Sequence, residues 1–572
     1  MTEMDEQVRR AMARREGADE PIVVPITRRQ ALKRSAAGAS FLALPGVLAA
    51  CGGERGGGNE EAQSGGENDQ AKAELKPGGT LVLAVDAITG QSDPGLFSTF
   101  GNWMAIDCIA RGFTHVDYRT TEPQPALAER WEVSDDGLTY TFFIKKGLTF
   151  HDGNPVTAKD AERTFKRLID EDDPTRPEGV YALAEIGGSN VKSAKAIDDM
   201  TFEFKLAKPD VAFLSRMSNP NAVLISAAAI EKHGKEIGRN LVGAGPFKLS
   251  DVKSGQSITM ERFDDFYMGK PLLDKVVLQV LPDPTALTSA LRSGQAQLSP
   301  FVPFSNASTL KRDSKLVVNE GKPYIVIFAA VNASKPLFKD LRVRQAISYA
   351  IDRETIVRQA FNGQATVPSG LITPAELGHS EELKTYYTQD LEKARALIQE
   401  AGAEGEEVEF ANQNILFWPR IGQIIDRNLK DIGLRPKTLY FDEATYNERS
   451  FDPKVHEMSA NQRSAFVADP DNKLSPIVAG DSFVTQSVTR NDLLPEQKEF
   501  DRMLVEARQE EDEDARKQLY VEVQKYFAEK IAVIHPLAYI ALPVTQSKAI
   551  GGVNADAMGT YRTFLEKTGY LA

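Results

Sequence analysis

The chain has 572 residues, 42% of them hydrophobic, and a formal net charge of −13. This length is enough for two or three domains with cores of their own, and the acidic balance disfavours nucleic acid and anionic lipid as partners. The two cysteines, Cys51 and Cys108, provide neither a disulfide framework nor a thiolate metal site.

The first fifty residues have the order of an export signal. Arg28 and Arg29 precede an apolar run, residues 35–50, that is too short and too rich in Ala and Gly to span a bilayer. The tetrapeptide LAAC at 48–51 matches the lipobox of bacterial lipoproteins, in which the cysteine thiolate accepts a diacylglycerol. We therefore expect residues 1–50 to be a twin-arginine-type lipoprotein signal peptide and Cys51 to carry lipid. The alternative, an N-terminal membrane helix with an incidental cysteine, lacks a stop-transfer pattern.

Residues 51–77 consist mainly of Gly, Glu, Asn and Gln, with almost nothing apolar, which predicts a flexible tether. Removal of the first fifty residues takes away eight basic and six acidic side chains, so the net charge of the mature chain falls to −15. No later segment reaches the length of a transmembrane helix.

Short alternating runs predict strands in the first part of the chain, and helical periodicity dominates afterwards. The predicted strands are 80–85, 139–144, 201–206, 257–263, 276–281 and 324–331. The predicted helices are 341–361, 391–402, 420–433 and 512–530. This order indicates a mixed α/β protein with more than one lobe.

Turn signals divide these elements. Asp152-Gly153 precedes a helix that Thr157 and Asp160 suit as a capping box, and GAGPF at 243–247 predicts a tight turn that leads into a strand. The six histidines are scattered singly, so no metal site and no cofactor is expected. We expect His151 to be a turn residue and Cys108 to be a small buried side chain.

One enzymatic pattern competes with a binding function, that of penicillin-binding proteins. SxxK occurs at 308–311, SxN at 459–461 and KTG at 567–569. However, SxxK also occurs at 189–192 and 250–253, and KTG lies too close to the end of the sequence for the helix that should follow it. A cell-wall serine enzyme with Ser308 as nucleophile is therefore a remote alternative, and we expect no catalytic residues.

Several long blocks decide between these interpretations. They are PALAERWEVSDDGLTYTFFIKKGLTFHDGNPVTAKDAERTFKRL (125–168), LVGAGPFKLSDVKSGQSITMERFDDFYMGKPLLDKVVLQVLPDPTALTSALRSGQAQ (241–297), NASKPLFKDLRVRQAISYAIDRETIV (332–357), FVADPDN (466–472) and ARKQLYVEVQKYFAEKIAVI (515–534). In content and order they resemble the extracellular solute-binding proteins of family 5, the oligopeptide, dipeptide and nickel receptors of ABC importers.

The resemblance implies an α/β fold of two lobes, the periplasmic-binding-protein-like fold of type II, cluster C, with an extra inserted domain. On this basis we expect lobe I at 78–109, 233–330 and 535–572, the inserted domain at 110–232, and lobe II at 331–534. The two lobes are expected to close around a ligand, because contacts made only in the closed state stabilise that state.

The function implied is that of a lipid-anchored extracytoplasmic receptor that acts as a monomer and delivers short peptides to an ABC permease. Within the same fold, the ligand could instead be a nickel chelate, a sugar or another cationic or polar solute. In peptide receptors the main chain of an extended peptide supplies most hydrogen bonds, and ionised peptide ends in a closed cleft require opposite charges.

The resemblance also implies candidate ligand contacts. Asp469 matches the aspartate that pairs with the ligand's α-ammonium, although the segment is short enough for this role to pass to Asp471. Arg463 matches a basic position near the ligand, and Phe466 matches an aromatic wall. Glu443 stands where peptide binders commonly have Trp. An acid in place of an aromatic platform favours either a cationic or more polar ligand, or a ligand that lies elsewhere.

Overall fold

The computed structural model describes residues 74–571 apart from 97, 117–121, 179–181, 301, 465–468, 483 and 560–561. These residues fall within one unit, Asn68–Ala572. The predicted signal peptide with Arg28 and Arg29, the lipidation site Cys51 and residues 51–73 of the predicted tether lie outside the described residues.

In chain order, the described residues form the strands β1 (Leu75–Lys76), β2 (Thr80–Val85), β3 (Thr114–Val116), β4 (Pro123–Pro125), β5 (Ala128–Val133), β6 (Thr139–Ile144), β7 (Val191–Ala196), β8 (Thr201–Leu206), β9 (Phe247–Lys253), β10 (Ser257–Arg262), β11 (Lys275–Val280), β12 (Leu298–Ser299), β13 (Leu316–Glu320), β14 (Ile325–Val331), β15 (Ala365–Thr366), β16 (Glu407–Gln413), β17 (Arg435–Phe441), β18 (Met458–Ser464), β19 (Ile534–Ile540), β20 (Pro543–Ser547), β21 (Ile550–Gly551) and β22 (Gly569–Leu571).

The α-helices lie between these strands. They are α1 (Phe100–Ile109), α2 (Ala158–Ile169), α3 (Ala182–Ile186), α4 (Phe213–Arg216), α5 (Ala227–His233), α6 (Pro284–Ser293), α7 (Phe304–Leu310), α8 (Leu341–Ala350), α9 (Arg353–Ala360), α10 (Leu391–Ala401), α11 (Trp418–Asp431), α12 (Glu443–Ser450), α13 (Pro470–Val478), α14 (Gln497–Gln509), α15 (Glu513–Tyr526) and α16 (Ala555–Gly559). Two π-helical turns, Thr485–Thr489 and Phe527–Ile531, lie in the second half of the chain.

The first large sheet has seven strands in the order β13-β20-β12-β2-β11-β10-β9. Its central strand, β2, runs parallel to both β11 and β12. Leu81, Leu83 and Val85 of β2 are buried in a core shared with α1, because a strand covered on both faces has few polar positions.

The second large sheet has six strands in the order β15-β19-β14-β18-β16-β17. All seven residues of β14 are buried, and its two antiparallel neighbours are β18 and β19. The apolar faces of α8, α11, α14 and α15 pack in the same core.

A third core belongs to the antiparallel sheet β5-β6-β8-β7. Every second residue of β6 is buried, which is the pattern of a sheet with one covered face. Phe142, Phe202 and Phe204 pack there with Phe165 of α2 and with Phe113. Two small sheets, β3-β4 and β1-β22-β21, complete the described strands.

The chain crosses between the two large sheets in two places. Residues 321–324 join β13 to β14, and residues 541–542 join β19 to β20. The predicted lobe boundaries at 330 and 535 fall at the end of β14 and the start of β19, both of which pair inside the six-stranded sheet. Boundaries near 324 and 541 would keep each sheet whole, and the domain division stays a prediction.

The predicted strands are found within one residue of their expected ends, but the predicted helix 341–361 is wrong as a single element. It is two helices, α8 and α9, which are separated at Ile351 and Asp352. The Asp352 side chain accepts from the Thr355 amide at 2.9 Å and so caps α9, while the Asp352 amide donates to Asn428 at 3.0 Å. The hydrophobic period continues through the break, so the pattern alone does not reveal it.

The predicted turns are present. The Thr157 amide donates to the Asp160 carboxylate at 3.0 Å at the start of α2, as a capping box requires. In GAGPF, a Cβ on Gly243 would lie 2.4 Å from the Ile109 carbonyl oxygen, so only glycine fits against the end of α1. The strand that follows this turn is β9.

Candidate functional site

A cavity of about 210 Å³ lies between the two large sheets. One wall consists of residues that follow β2 and begin α1, and the other consists of β14, the end of β18, the start of α11 and one face of α12. Leu542 of the second crossing segment also lines it. The cavity therefore lies where both lobes and a connection between them meet.

The walls of this cavity are largely aromatic. Apolar and aromatic surfaces with a few placed polar groups are typical of small-molecule sites. The aromatic side chains are Phe100, Trp103, Phe328, Phe417, Trp418, Tyr446 and Phe451.

Two charged side chains line the cavity among the described residues, Asp86 and Arg463. Asp86 is the residue that follows β2, at the carboxyl end of a parallel strand, where α/β sheets commonly bind ligands. Its carboxylate accepts from the Ala87 amide at 2.8 Å. Burial raises the pKa of Asp86 to about 6.

Arg463 lies at the end of β18 and already has a buried anionic partner. Its Nη1 and Nη2 donate to the two carboxylate oxygens of Glu185 at 2.9 and 3.0 Å, and Nη2 also donates to the Asn472 carbonyl at 2.8 Å. Glu185 belongs to α3, next to the four-stranded sheet, and its side chain is fully buried. The predicted basic residue thus lines the cavity with its charge compensated.

Asp469 does not line the cavity. It is the N-cap of α13, where its carboxylate accepts from the Asp471 amide at 2.9 Å, and it pairs with Arg516 at 3.0 Å. The role of Asp469 as the partner of a ligand's ammonium group stays a prediction.

Asp471, the predicted substitute, is fully buried in α13. It pairs with Arg216 of α4 and, at 3.2 Å, with Arg508 of α14. Arg216 also pairs with Asp210 at 3.3 Å. The carboxylate of Asp471 is therefore held by two guanidinium groups of the protein. One of them, that of Arg216, belongs to the part of the molecule beside the four-stranded sheet.

The side chains of the two remaining predicted contacts, Phe466 and Glu443, lie outside the described residues, although the backbone of Glu443 begins α12. Tyr446 and Asn447 of the same helix line the cavity. The helix that carries Glu443 therefore contributes to the cavity wall, while the roles of Phe466 and Glu443 stay predictions.

A second cavity, of about 300 Å³, adjoins the first. Leu416, Phe417 and Leu542 line both cavities. Leu416 has a φ of 52°, in the left-handed region that a branched side chain rarely adopts. This strained residue lies in the loop that separates the two spaces.

The other expectations from the sequence concern a metal site, a membrane helix, Cys108 and the serines of the enzymatic pattern. No group of three or more His, Cys, Asp or Glu side chains there could hold a metal ion, and no helix in those ranges has the length and apolar character needed to cross a membrane. Cys108 is buried, as expected. Ser308 is exposed on α7, whereas Ser459 is buried in β18 and contacts His456 and Asn461.

Asp86 and the aromatic pair Phe417-Trp418 are among the cavity residues that the sequence reasoning missed. A usable signal existed for Asp86, because it follows directly on the predicted strand 80–85 and strand ends in α/β proteins point toward ligands. No comparable signal marks Phe417 and Trp418, whose position depends on how the two sheets meet.

Comparison with known proteins identifies the family. The family model described as bacterial extracellular solute-binding proteins, family 5, middle region, matches residues 122–483. The chain belongs to this family. The two-lobed α/β fold that the sequence predicted is thereby confirmed.

Three relatives illustrate what this solute-binding protein is similar to. Heme-binding protein A of Haemophilus influenzae is 30% identical over 428 residues, which cover 71% of this chain and 77% of that protein. The dipeptide-binding protein of Escherichia coli is 27% identical over 509 residues, 84% of this chain and 93% of that protein. The periplasmic binding protein DppA of Helicobacter pylori, solved in complex with the peptide STSA, has a TM-score of 0.79 and 27% identity, and the match covers 87% of this chain and 98% of that one.

Proposed function

We propose that this solute-binding protein is the extracytoplasmic receptor of an ABC importer and that it captures short peptides by closure of its two lobes. The observation that carries this proposal is the aromatic cavity between the two large sheets, which two crossing segments connect. A small movement at residues 321–324 and 541–542 would open or close such a cavity, and hinges of this kind are a few residues between rigid bodies.

The relatives support peptide as the ligand class. One is a dipeptide-binding protein and another was solved with a bound tetrapeptide. The polar residues at the end of β18, Asn461, Gln462 and Ser464, line the cavity beside aromatic side chains. Main-chain hydrogen bonds to such groups would hold an extended peptide whatever its side chains are.

We further propose that the receptor works as a monomer at the outer face of a membrane. A signal peptide with Arg28 and Arg29 would direct its export, and lipid on Cys51 would retain it beside the permease. About 27 residues of tether would leave it free to rotate and dock. It would capture its solute without converting it.

One observation favours a second candidate ligand, a cationic or polar solute other than a peptide. Asp469 and Asp471, the residues expected to bind a peptide's ammonium group, both have arginine partners within the protein. A ligand without the standard peptide ends would not need them.

Native mass spectrometry of the full chain as purified separates these candidates. We expect adducts with the masses of di-, tri- or tetrapeptides, which are released when the protein is unfolded. The refolded, ligand-free protein should then recover the same adducts from a peptide mixture. A single non-peptide adduct, together with no uptake of peptides after refolding, would contradict the peptide proposal and favour the second candidate.

A further inference from the structure

Asp86 differs from the other acidic groups near the cavity in its surroundings. It directly follows β2, at the centre of the seven-stranded sheet, and shares the cavity wall with Ala87, Phe100 and Trp103. Its carboxylate accepts a hydrogen bond from the adjacent Ala87 amide. A carboxylate in aromatic surroundings has lost much of its hydration, and that loss is unfavourable unless a cation replaces the water.

In the described part of the chain, no cationic side chain provides that compensation. Among the residues that the structure describes, no Lys, Arg or His lies within ion-pair distance of Asp86, while Asp469, Asp471 and Glu185 each pair with at least one arginine. The other charged group on the cavity wall, Arg463, is held by both oxygens of Glu185. Within the described part of the chain, the cavity therefore carries one uncompensated negative charge, and this charge lies on the wall of the seven-stranded sheet.

Asp86 is half-buried, and its partial desolvation without a charged partner is consistent with the electrostatics of the group. The pKa of Asp86 is raised to about 6, chiefly by desolvation, so the carboxylate is still ionised at neutral pH. Groups that are perturbed in this way and face a cleft are frequent in functional sites.

We propose that Asp86 binds the cationic group of the solute, a primary ammonium or a guanidinium. This inference rests on the proposed function only in that the cavity binds a solute, and it does not require the solute to be a peptide. It places the cation-binding group on the seven-stranded side of the cavity, and not in the segment 466–472 where the family resemblance had placed it.

The test compares wild type, Asp86→Asn and the charge-matched control Asp135→Asn, whose side chain is exposed in the turn before β6. Binding is followed by tryptophan fluorescence, since Trp103 and Trp418 line the cavity. Three sets of probes are titrated at pH 7.5: a mixture of di- and tripeptides of Ala, Leu and Phe with free amino ends, the same mixture N-acetylated, and the non-peptide cations arginine amide and spermidine.

We expect wild type and Asp135→Asn to bind at least one of the cationic sets and to bind the acetylated set at least about tenfold more weakly. Asp86→Asn should lose at least about tenfold in affinity for the cationic set, because a buried ion pair is replaced by a neutral contact. Preference for the non-peptide cations with the same dependence on Asp86 would contradict the peptide part of the proposed function and support the role of Asp86.

A second readout needs no ligand. Because Asp86 is charged and unpaired at pH 7.5, ligand-free Asp86→Asn should melt about 2 °C higher than wild type. The folded-state pKa lies above the unfolded value, so the penalty is present above about pH 6 and the difference should shrink as the pH falls to 5. Four results would each overturn the inference. Three concern binding: equal affinity of wild type and Asp86→Asn for the cationic probes, equal binding of acetylated and free peptides, or binding of none of the probes. The fourth is a lower melting temperature of Asp86→Asn than of wild type at pH 7.5.

Discussion

The acidic residues of this protein show that a sequence match and a contact can assign different roles to one side chain. Asp469 occupies the matching position in the segment 466–472, yet its carboxylate caps α13 and pairs with Arg516. Both contacts tie it to the protein rather than to the cavity. Asp86, which has no such match, lines the cavity without a cationic partner among the described residues.

The variant Asp469→Asn tests which role Asp469 has. From its contacts we expect a loss of about 1 kcal/mol in the free energy of unfolding, because the ion pair with Arg516 is lost while asparagine keeps the acceptor that caps α13. The affinity for the captured solute should change less than about threefold. Urea unfolding and fluorescence titration of the same preparation measure both quantities. A tenfold loss of affinity with unchanged stability would instead assign the ligand's ammonium group to Asp469.

Much of the candidate site could not be predicted because it is formed by residues distant in sequence. Arg463 was predicted from the family resemblance, and it does line the cavity. Its partner Glu185 is 278 residues away and no local pattern connects the two. The same holds for Trp103 and Trp418, which reach one cavity only because the two large sheets face each other.

The strands and helices were more predictable than the site. Short alternating runs in the sequence predicted β2, β6, β8 and β14, and the structure has strands at these positions. The break between α8 and α9 was missed, since Ala350 and Ile351 continue the buried pattern up to the cap residue Asp352. In this segment α8 ends with Ile351 as its C-cap, and the side chain of the next residue, Asp352, begins α9.

The variant Asp352→Ala should show that this break depends on the cap. It removes the acceptor for the amide and hydroxyl of Thr355, which lie 2.9 and 2.6 Å from the carboxylate. Loss of an N-cap costs about 1 kcal/mol, so we expect the urea midpoint to fall accordingly. Asp352→Asn, which keeps an acceptor, should recover most of the loss. Equal midpoints for the Ala variant and wild type would mean that the packing of Asn428 against the break, and not the cap, determines it.

The part of the chain that the structure describes combines three large hydrophobic cores, and charged contacts cross between two of them. The Glu185–Arg463 pair joins α3, beside the four-stranded sheet, to β18 of the six-stranded sheet. Arg216 and Asp471 make a second such contact between α4 and α13, and the Val211 amide donates to the Arg508 carbonyl at 3.3 Å. Since these groups are buried together, separation of the two parts would expose several charges at once.

The Glu185–Arg463 contact should therefore influence how often the protein is closed. In Glu185→Gln the guanidinium of Arg463 would be buried without its anion in the closed form but hydrated in the open form, which favours opening. If this shift between the open and closed forms leaves about one tenth of the molecules competent to bind, the apparent affinity falls about tenfold.

We accordingly expect Glu185→Gln to bind its solute about tenfold more weakly and to have a larger radius of gyration without ligand, measured by small-angle X-ray scattering. The control is Glu178→Gln, because Glu178 pairs with Lys235 at an exposed site where the loss should be small. The double variant Glu185→Leu/Arg463→Met removes both charges and should restore the wild-type radius, even if the loss of Arg463 from the cavity wall alters affinity. If Glu185→Gln is less stable but keeps the wild-type radius and affinity, the Glu185–Arg463 pair persists in the open and closed forms alike. Closure would then depend on the Arg216–Asp471 contact or on the solute alone.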